Sequence, residues 1–173
     1  MKQKDDIVCE PARERDVPAL VDLCLLVERQ HEQYWPLRWE LRSDIRDRYL
    51  RWLTGNLNNP HWLVLAARVR RMVGKAPGPA VSTLAGGLVA AIAPEIPIYT
   101  LKEYAFIHDM AVQPEFRRRG VAWAMLWYAR QWAAKKGVAQ LRLMVAQANI
   151  PARSLFERAQ FRTTYHEMVL PIQ

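Results

Sequence analysis

From residue 111 to 122 the chain reads Ala-Val-Gln-Pro-Glu-Phe-Arg-Arg-Arg-Gly-Val-Ala, with three arginines and a glycine between an apolar run and helix-forming sequence. The first amides of a helix have no internal acceptor, and the helix dipole adds positive potential there. Gly120 permits close backbone approach, and Arg117, Arg118 and Arg119 add charge, so this corner suits a diphosphate. It is neither a Walker loop nor a dinucleotide fingerprint, because GxxxxGK[S/T] and GxGxxG are both absent. Just upstream stand His108 and Asp109. An imidazole with an ordinary pKa of about 6.5 can accept a proton near neutrality. Regular alternation would put His108 on the face of Phe106 and Met110, with Asp109 on the other. The alternative for His108 is a packed histidine without chemistry, and His166 and Glu103 are weaker substitutes. For a proton donor, Tyr165 and Ser154 are available. In the aromatic stretch His31 to Trp39, the residues Glu32, Tyr34 and Trp35 could hold the apolar body and cationic end of a ligand, or simply fill a core.

These groups need a scaffold, and the hydropathy pattern supplies one. Ile7–Ala12 reads as a strand. Asp16-Val-Pro opens a helix whose apolar positions Val17, Leu20, Val21, Cys24 and Val27 recur at helical spacing, with Asp22, Glu28 and Arg29 facing water. The stretch His31–Trp39 reads as a connection broken by Pro36. Leu41, Ile45, Tyr49, Trp52 and Leu53 then mark a second helix, closed at Thr54-Gly55-Asn56. Strands follow at 62–69, 81–93 and 104–112, with a basic Gly/Pro-rich turn over 70–79. Gly86-Gly87 suggests a bulge or close backbone approach. A helix from Val121 to about Lys136 ends at Gly137, and a strand over 138–146, a short helix over 151–159 and a last strand over 161–170 complete the chain. The order β-α-α-β-β-β-α-β-α-β predicts a mixed α/β (α+β) layer fold.

At two blocks the sequence resembles the GNAT family of acyl-coenzyme A dependent N-acetyltransferases. The first is Arg117-Arg118-Arg119-Gly120-Val121-Ala122, similar to the family's Gln/Arg-x-x-Gly-x-Gly/Ala, preceded by Val112 to Phe116. The second is Asn149, Ala152, Leu155-Phe156 and Phe161, similar to Asn-x-x-Ala-x-x-Leu-Tyr-x-x-x-Gly-Phe. Phe156 stands where many relatives carry a tyrosine proposed to protonate the departing thiolate, and Gln160 where a glycine is usual. The resemblance covers nearly the whole chain from Ile7 and implies a single domain over 1–173. It implies a central, mostly antiparallel sheet whose middle strands splay apart to admit acetyl-coenzyme A. Main-chain groups of Met110, Ala111 and Val112 would meet the pantetheine arm, and an N–H from Met110 could stabilise the oxyanion. Amides of Arg117 through Ala122, Gly120 and Val121 included, would take the diphosphate. Asn149, which could equally cap the short helix, and Phe156 would lie along the cofactor. His108, Asp109 and Tyr165 would be the catalytic candidates. A free thiol leaves readily as thiolate, so Phe156 does not exclude turnover. The expected reaction is acetyl transfer to a primary amine of a small molecule, with no metal. A protein amine as acceptor, or an acyl-coenzyme A sensing domain without turnover, is the alternative.

Composition agrees with one globular domain. The chain has 173 residues, 51% hydrophobic and 24% charged. Cys9 and Cys24 lack metal-ligand spacing, the first residues show no leader pattern, and no stretch has the length of a membrane span, so a cytoplasmic protein without membrane contact is expected. Residues 1–55 hold 10 Lys/Arg against 11 Asp/Glu, whereas 56–173 hold 15 against 6. That bias suits an anionic ligand on the second part. Nucleic acid is disfavoured, because the arginines cluster at one turn and no nucleic-acid-binding signature is present. Trp123 and Trp127 give the helix after Gly120 a second apolar face, from which a homodimer is expected.

Overall fold

The computed structural model describes residues 6–71 and 81–172. Five strands form one sheet in the order β1 (Asp6–Pro11), β2 (Trp62–Arg71), β3 (Val81–Pro94), β4 (Glu103–Val112), β5 (Leu141–Leu143). The first four pair antiparallel and β5 runs parallel to β4. One face is covered by α1 (Val17–Tyr34) and α3 (Ile45–Asn56), with the short α2 (Pro36–Trp39) against α1, and the other by α4 (Val121–Lys135) and α5 (Ile150–Arg158). No described helix is long and apolar enough to cross a membrane.

The helices follow from their stripes. In α1, Val17, Leu20, Val21 and Cys24 are buried at helical spacing, with Pro18 in the first turn where its missing N–H costs nothing. Asp16 stands at the N-cap position, but its carboxylate accepts from the Arg13 amide at 3.0 Å and pairs with Arg68 at 2.5 Å instead of capping the helix. Val121, Met125, Leu126, Ala129 and Ala133 form the buried stripe of α4, which leaves Trp123 and Trp127 exposed. Gly137, at φ 76°, ends that helix with amide bonds from Gly137 to Ala134 and from Val138 to Ala133.

Gly86 and Gly87 let both layers approach β3. A Cβ on Gly86 would lie 2.8 Å from the Ala111 carbonyl oxygen, and one on Gly87 would lie 2.5 Å from a Leu20 methyl. A bulge sits beside them, since the β2–β3 register slips between Ala67 and Arg68.

Four expectations need correction. Helix α1 continues to Tyr34 and α2 begins after Trp35, so the aromatic stretch is mostly helical. Glu28 does not face water but lies half-buried beneath α3. The strand expected over 138–146 shrinks to Leu141–Leu143. Residues 161–170 form no strand. A ladder needs a partner in register, and this segment finds side-chain contacts instead: Tyr165 to Met144, and Glu167 to Arg38. The basic turn expected over 70–79 falls largely outside the described residues.

Candidate active site

The site begins with an irregularity in β4. Its register with β3 shifts between Val89 and Ala90, which face Asp109 and Ile107, so His108 is an extra residue bulged out of the ladder. Backbone bonds show the consequence. The Ala105 amide donates to Gln140, on the β5 side, while the Gln113 amide donates to Ala85, on β3. In an unbroken strand two odd-numbered amides point the same way. Here they do not, so beyond the bulge the N–H groups of Met110 and Val112 turn toward the β5 side. There β5 no longer accompanies β4, because its pairing ends at Ile107. Among the described residues the second half of β4 is thus paired to β3 alone and presents an edge of main-chain groups that no strand takes up.

The bulge also reassigns faces. Ile107 packs in the core under α4, whereas Ala111 packs under α1 and α3. Met110 and Val112 lean on the α4 core. His108 and Asp109 therefore project to the same side, against the alternation that separated them.

At the end of this edge lies the arginine corner. Two residues in left-handed backbone, Arg118 at φ 62° and Gly120 at φ 92°, turn the chain into α4. No side chain caps the helix, and its first internal bond is from the Ala124 amide to the Gly120 carbonyl. The amides ahead of Ala124 open onto the turn. Val121 has its side chain buried in the core, so only its amide can serve a ligand. Arg117 Nε donates to the Val112 carbonyl at 3.2 Å, tying the turn to the free edge of β4, and Arg119 lies over the Phe116 ring.

On the helical side of the bulge is a buried polar chain. The Tyr49 hydroxyl is 3.0 Å from Glu28 Oε1 and 3.4 Å from Asp109 Oδ1. A phenol has one proton, so Tyr49 donates to one carboxylate at a time, and the shorter contact is to Glu28. The electrostatics fit. Burial, with the Glu28 charge nearby, raises Asp109 to about 7. Burial would raise Glu28 as well, but the His31 imidazole 3.8 Å away and the Tyr49 hydrogen bond outweigh it and hold this carboxyl below the usual range. Cys24 and Tyr49, desolvated beside the two acids, are pushed up and stay neutral.

His108 stands in a different setting. Its ring stacks on Trp62 (5.2 Å, 12°) and meets Trp52 and Phe106 edge-on, while its rim reaches solvent. Losing water to these neighbours pushes the imidazole below its ordinary 6.5, so it is neutral at pH 7 and able to accept a proton.

The remaining sequence-predicted residues are scattered. Asn149 caps α5, its side chain accepting from the Ala152 amide at 3.3 Å. Phe156 is buried in the α4-side core against Phe161. Tyr165 is exposed, with its hydroxyl 3.0 Å from the Met144 sulfur. Glu32 accepts from the Leu41 amide, Tyr34 is bonded to Gln30, and Trp35 starts α2, so these three build the α1–α2 corner without converging on His108 or Asp109. Sequence reading passed over Glu28, Trp52 and Trp62 as parts of a site and had His31 only within the stretch 31–39. The available signal was the spacing of Cys24, Glu28 and His31 on α1, which places a carboxylate and an imidazole on the helix's inward stripe.

Comparison with known proteins supports the same architecture. The model of the acetyltransferase (GNAT) family matches residues 24–161. A search of curated proteins returns no match. Among solved structures, a mutant of the BH1408 protein from Bacillus halodurans superposes with TM-score 0.76 at 15% identity, over 96% of this chain and 99% of that one. An aminoglycoside 6'-N-acetyltransferase from Acinetobacter haemolyticus gives 0.64 at 19% identity, over 96% and 98%. A predicted acetyltransferase from Clostridium acetobutylicum, determined with acetyl-CoA, gives 0.66 at 18%, over 96% of each chain. With a five-stranded sheet that opens beyond Ile107, a glycine-turned arginine corner at the foot of α4 and a family match across most of its length, the chain belongs to the GNAT acetyltransferase family.

Proposed function

We propose that the protein transfers the acetyl group of acetyl-coenzyme A to a primary amine of a small molecule by direct attack on the thioester. The observation that carries this reading is the second half of β4, whose outward main-chain edge leads straight to the uncapped amides of α4. The edge at Met110, Ala111 and Val112 suits an amide-bearing arm laid alongside it as another strand would be. The corner from Arg117 to Ala122 suits the diphosphate, through its amides and the arginine charges. Asn149 heads α5, where its side chain accepts from the Ala152 amide, and would lie along the arm. The acetyltransferase of known structure with acetyl-CoA supports this choice of cofactor.

The residues of the bulge supply the proton chemistry. An alkyl amine with a pKa near 10 arrives protonated, and it must lose a proton before its nitrogen can attack. His108, neutral and reachable at its rim, takes that proton, directly or through one water. Asp109 lies deeper, against the Tyr49–Glu28 pair, and orients this wall. The amine nitrogen bonds to the acetyl carbonyl carbon and the carbon–sulfur bond breaks. The sulfur leaves as thiolate, which at an ordinary thiol pKa near 8.5 needs little help. Phe156 is core, and Tyr165, near Met144, is the available hydroxyl if a donor is used.

A thiol-release assay with acetyl-coenzyme A over a panel of amines tests this. Amine-dependent thiol production, with acetylated amine in equal amount, is expected. Saturable acetyl-coenzyme A binding with no thiol release from any amine would favour a sensing domain instead.

A further inference from the structure

Six rings form an unbroken wall on the α3 side of the sheet. Tyr49 meets Trp52 at 5.6 Å, Trp52 meets Trp62 at 5.4 Å, Trp62 stacks on His108 at 5.2 Å, His108 meets Phe106 at 5.1 Å, and Phe106 meets Tyr104 at 6.5 Å. Tyr49, Trp52 and Trp62 pack on the core beneath α1 and α3 but are only partly buried, as are Phe106 and Tyr104, and His108 is exposed, so the wall keeps a solvent-facing side. A surface depression lined by Ile45, Arg48, Tyr49 and Trp52 opens at one end of the wall. Beneath that same end lie Glu28 and Asp109, joined by the Tyr49 hydroxyl.

The surrounding charge is equally informative. Several acids of this side are held by arginines, Asp44 by Arg42 and Arg48, Asp22 by Arg46, and Glu167 by Arg38, while the exposed Glu40 and Asp47 lie on α2–α3 outside the ring wall itself. A polycation needs several free carboxylates spread over its length. This wall instead offers π-faces around one deep acidic pair, which matches a single ammonium attached to a flat apolar body.

We infer that the acceptor is an arylalkyl monoamine, its ring lying on the Trp52–Trp62 wall and its amino group directed at His108. The inference rests on the amine-acetylation reading above and narrows its substrate. It also separates this chain from the aminoglycoside 6'-N-acetyltransferases that share its fold.

Rates with 2-phenylethylamine, spermidine and kanamycin test it. The arylalkyl amine is expected to have the highest kcat/KM, by about tenfold or more, the size of one or two good ring contacts. Trp52→Ala should raise KM for 2-phenylethylamine by a similar factor while leaving acetyl-coenzyme A affinity unchanged. Titrating the wild-type protein with 2-phenylethylamine should quench tryptophan fluorescence saturably, a readout that depends on neither turnover nor the folding of a variant. An equal or higher kcat/KM for spermidine or kanamycin overturns the inference and leaves acetylation standing. Should no amine release thiol, the acetylation reading fails, and the quenching titration alone decides whether the wall takes an aryl amine.

Discussion

The two halves of β4 share a strand but not an environment. Ala105 to Ile107, just before His108, are paired on both edges, to β3 and to β5, and Ile107 is buried under α4. Residues after His108 are paired to β3 alone, bury Ala111 under α1 and α3, and turn the amides of Met110 and Val112 to the open edge. One extra residue makes the difference. By shifting the parity of the strand it exposes main-chain groups on one side of the sheet and brings His108 and Asp109 together on the other. A regular strand could offer a cofactor edge or a two-residue acid–base pair at this point, but not both.

The strongest way to break this contrast is at the corner where the free half ends. Gly120→Glu places a side chain in left-handed backbone and a negative charge on the helix amides, and acetyl-coenzyme A affinity by calorimetry should fall about a hundredfold, roughly 3 kcal/mol. Removing the bulged imidazole comes next. His108→Ala should lower kcat/KM by about a hundredfold, the usual contribution of a positioned base. In the wild type the acidic limb of kcat/KM should have its midpoint below 6.5, because burial favours the neutral ring, and the limb should vanish in the variant. A midpoint above 6.5, or a limb that survives, would remove His108 from the role.

Gly86 faces the free half directly. A side chain there would begin only 2.8 Å from the Ala111 carbonyl oxygen, so Gly86→Val should cost about 2 kcal/mol of stability in urea unfolding, through crowding of the only strand that holds this edge. Asp109 gives a subtler test. Its folded pKa of about 7 lies above the ordinary carboxylate value, so the native state binds the extra proton and loses stability as pH rises from 4 toward 7. Asp109→Asn should flatten the dependence of Tm on pH over that window. The smallest effect lies away from both halves. Gln160 holds φ 69° at the end of α5, with amide bonds from Gln160 to Glu157 and from Phe161 to Phe156, so Gln160→Gly should stabilise the fold by about 1 kcal/mol and leave cofactor affinity alone.

Much of the frame was legible in the sequence because its signals are local. Gly120 and Gly137 mark backbone that only glycine adopts cheaply, and the apolar stripe of α4 needs no knowledge of the rest of the chain. The bulge was hidden for a physical reason. Ile107, Asp109 and Ala111 are all buried, so the odd-numbered burial runs past His108 without a break, although it passes from one covered face to the other. With helices on both faces, hydropathy does not record the change. Residues 161–170 failed for the converse reason: Tyr165, Met168 and Leu170 have the side chains of a strand, but strand formation depends on a neighbour in register, which β5, ending at Leu143, does not provide. The ring cluster at His108 was not legible in the same way, because composition draws attention to the dense aromatic stretch 31–39, whereas Trp52, Trp62 and His108 come from three elements far apart in sequence.

Amide hydrogen exchange, resolved by residue with and without saturating acetyl-coenzyme A, addresses the unpaired edge directly. Added protection is predicted at Met110 and Val112 and at Val121 and Ala122, with little change at Ala105, whose amide already bonds to Gln140. Unchanged exchange at all four, in protein shown to be folded, would contradict the assignment of this edge to the cofactor.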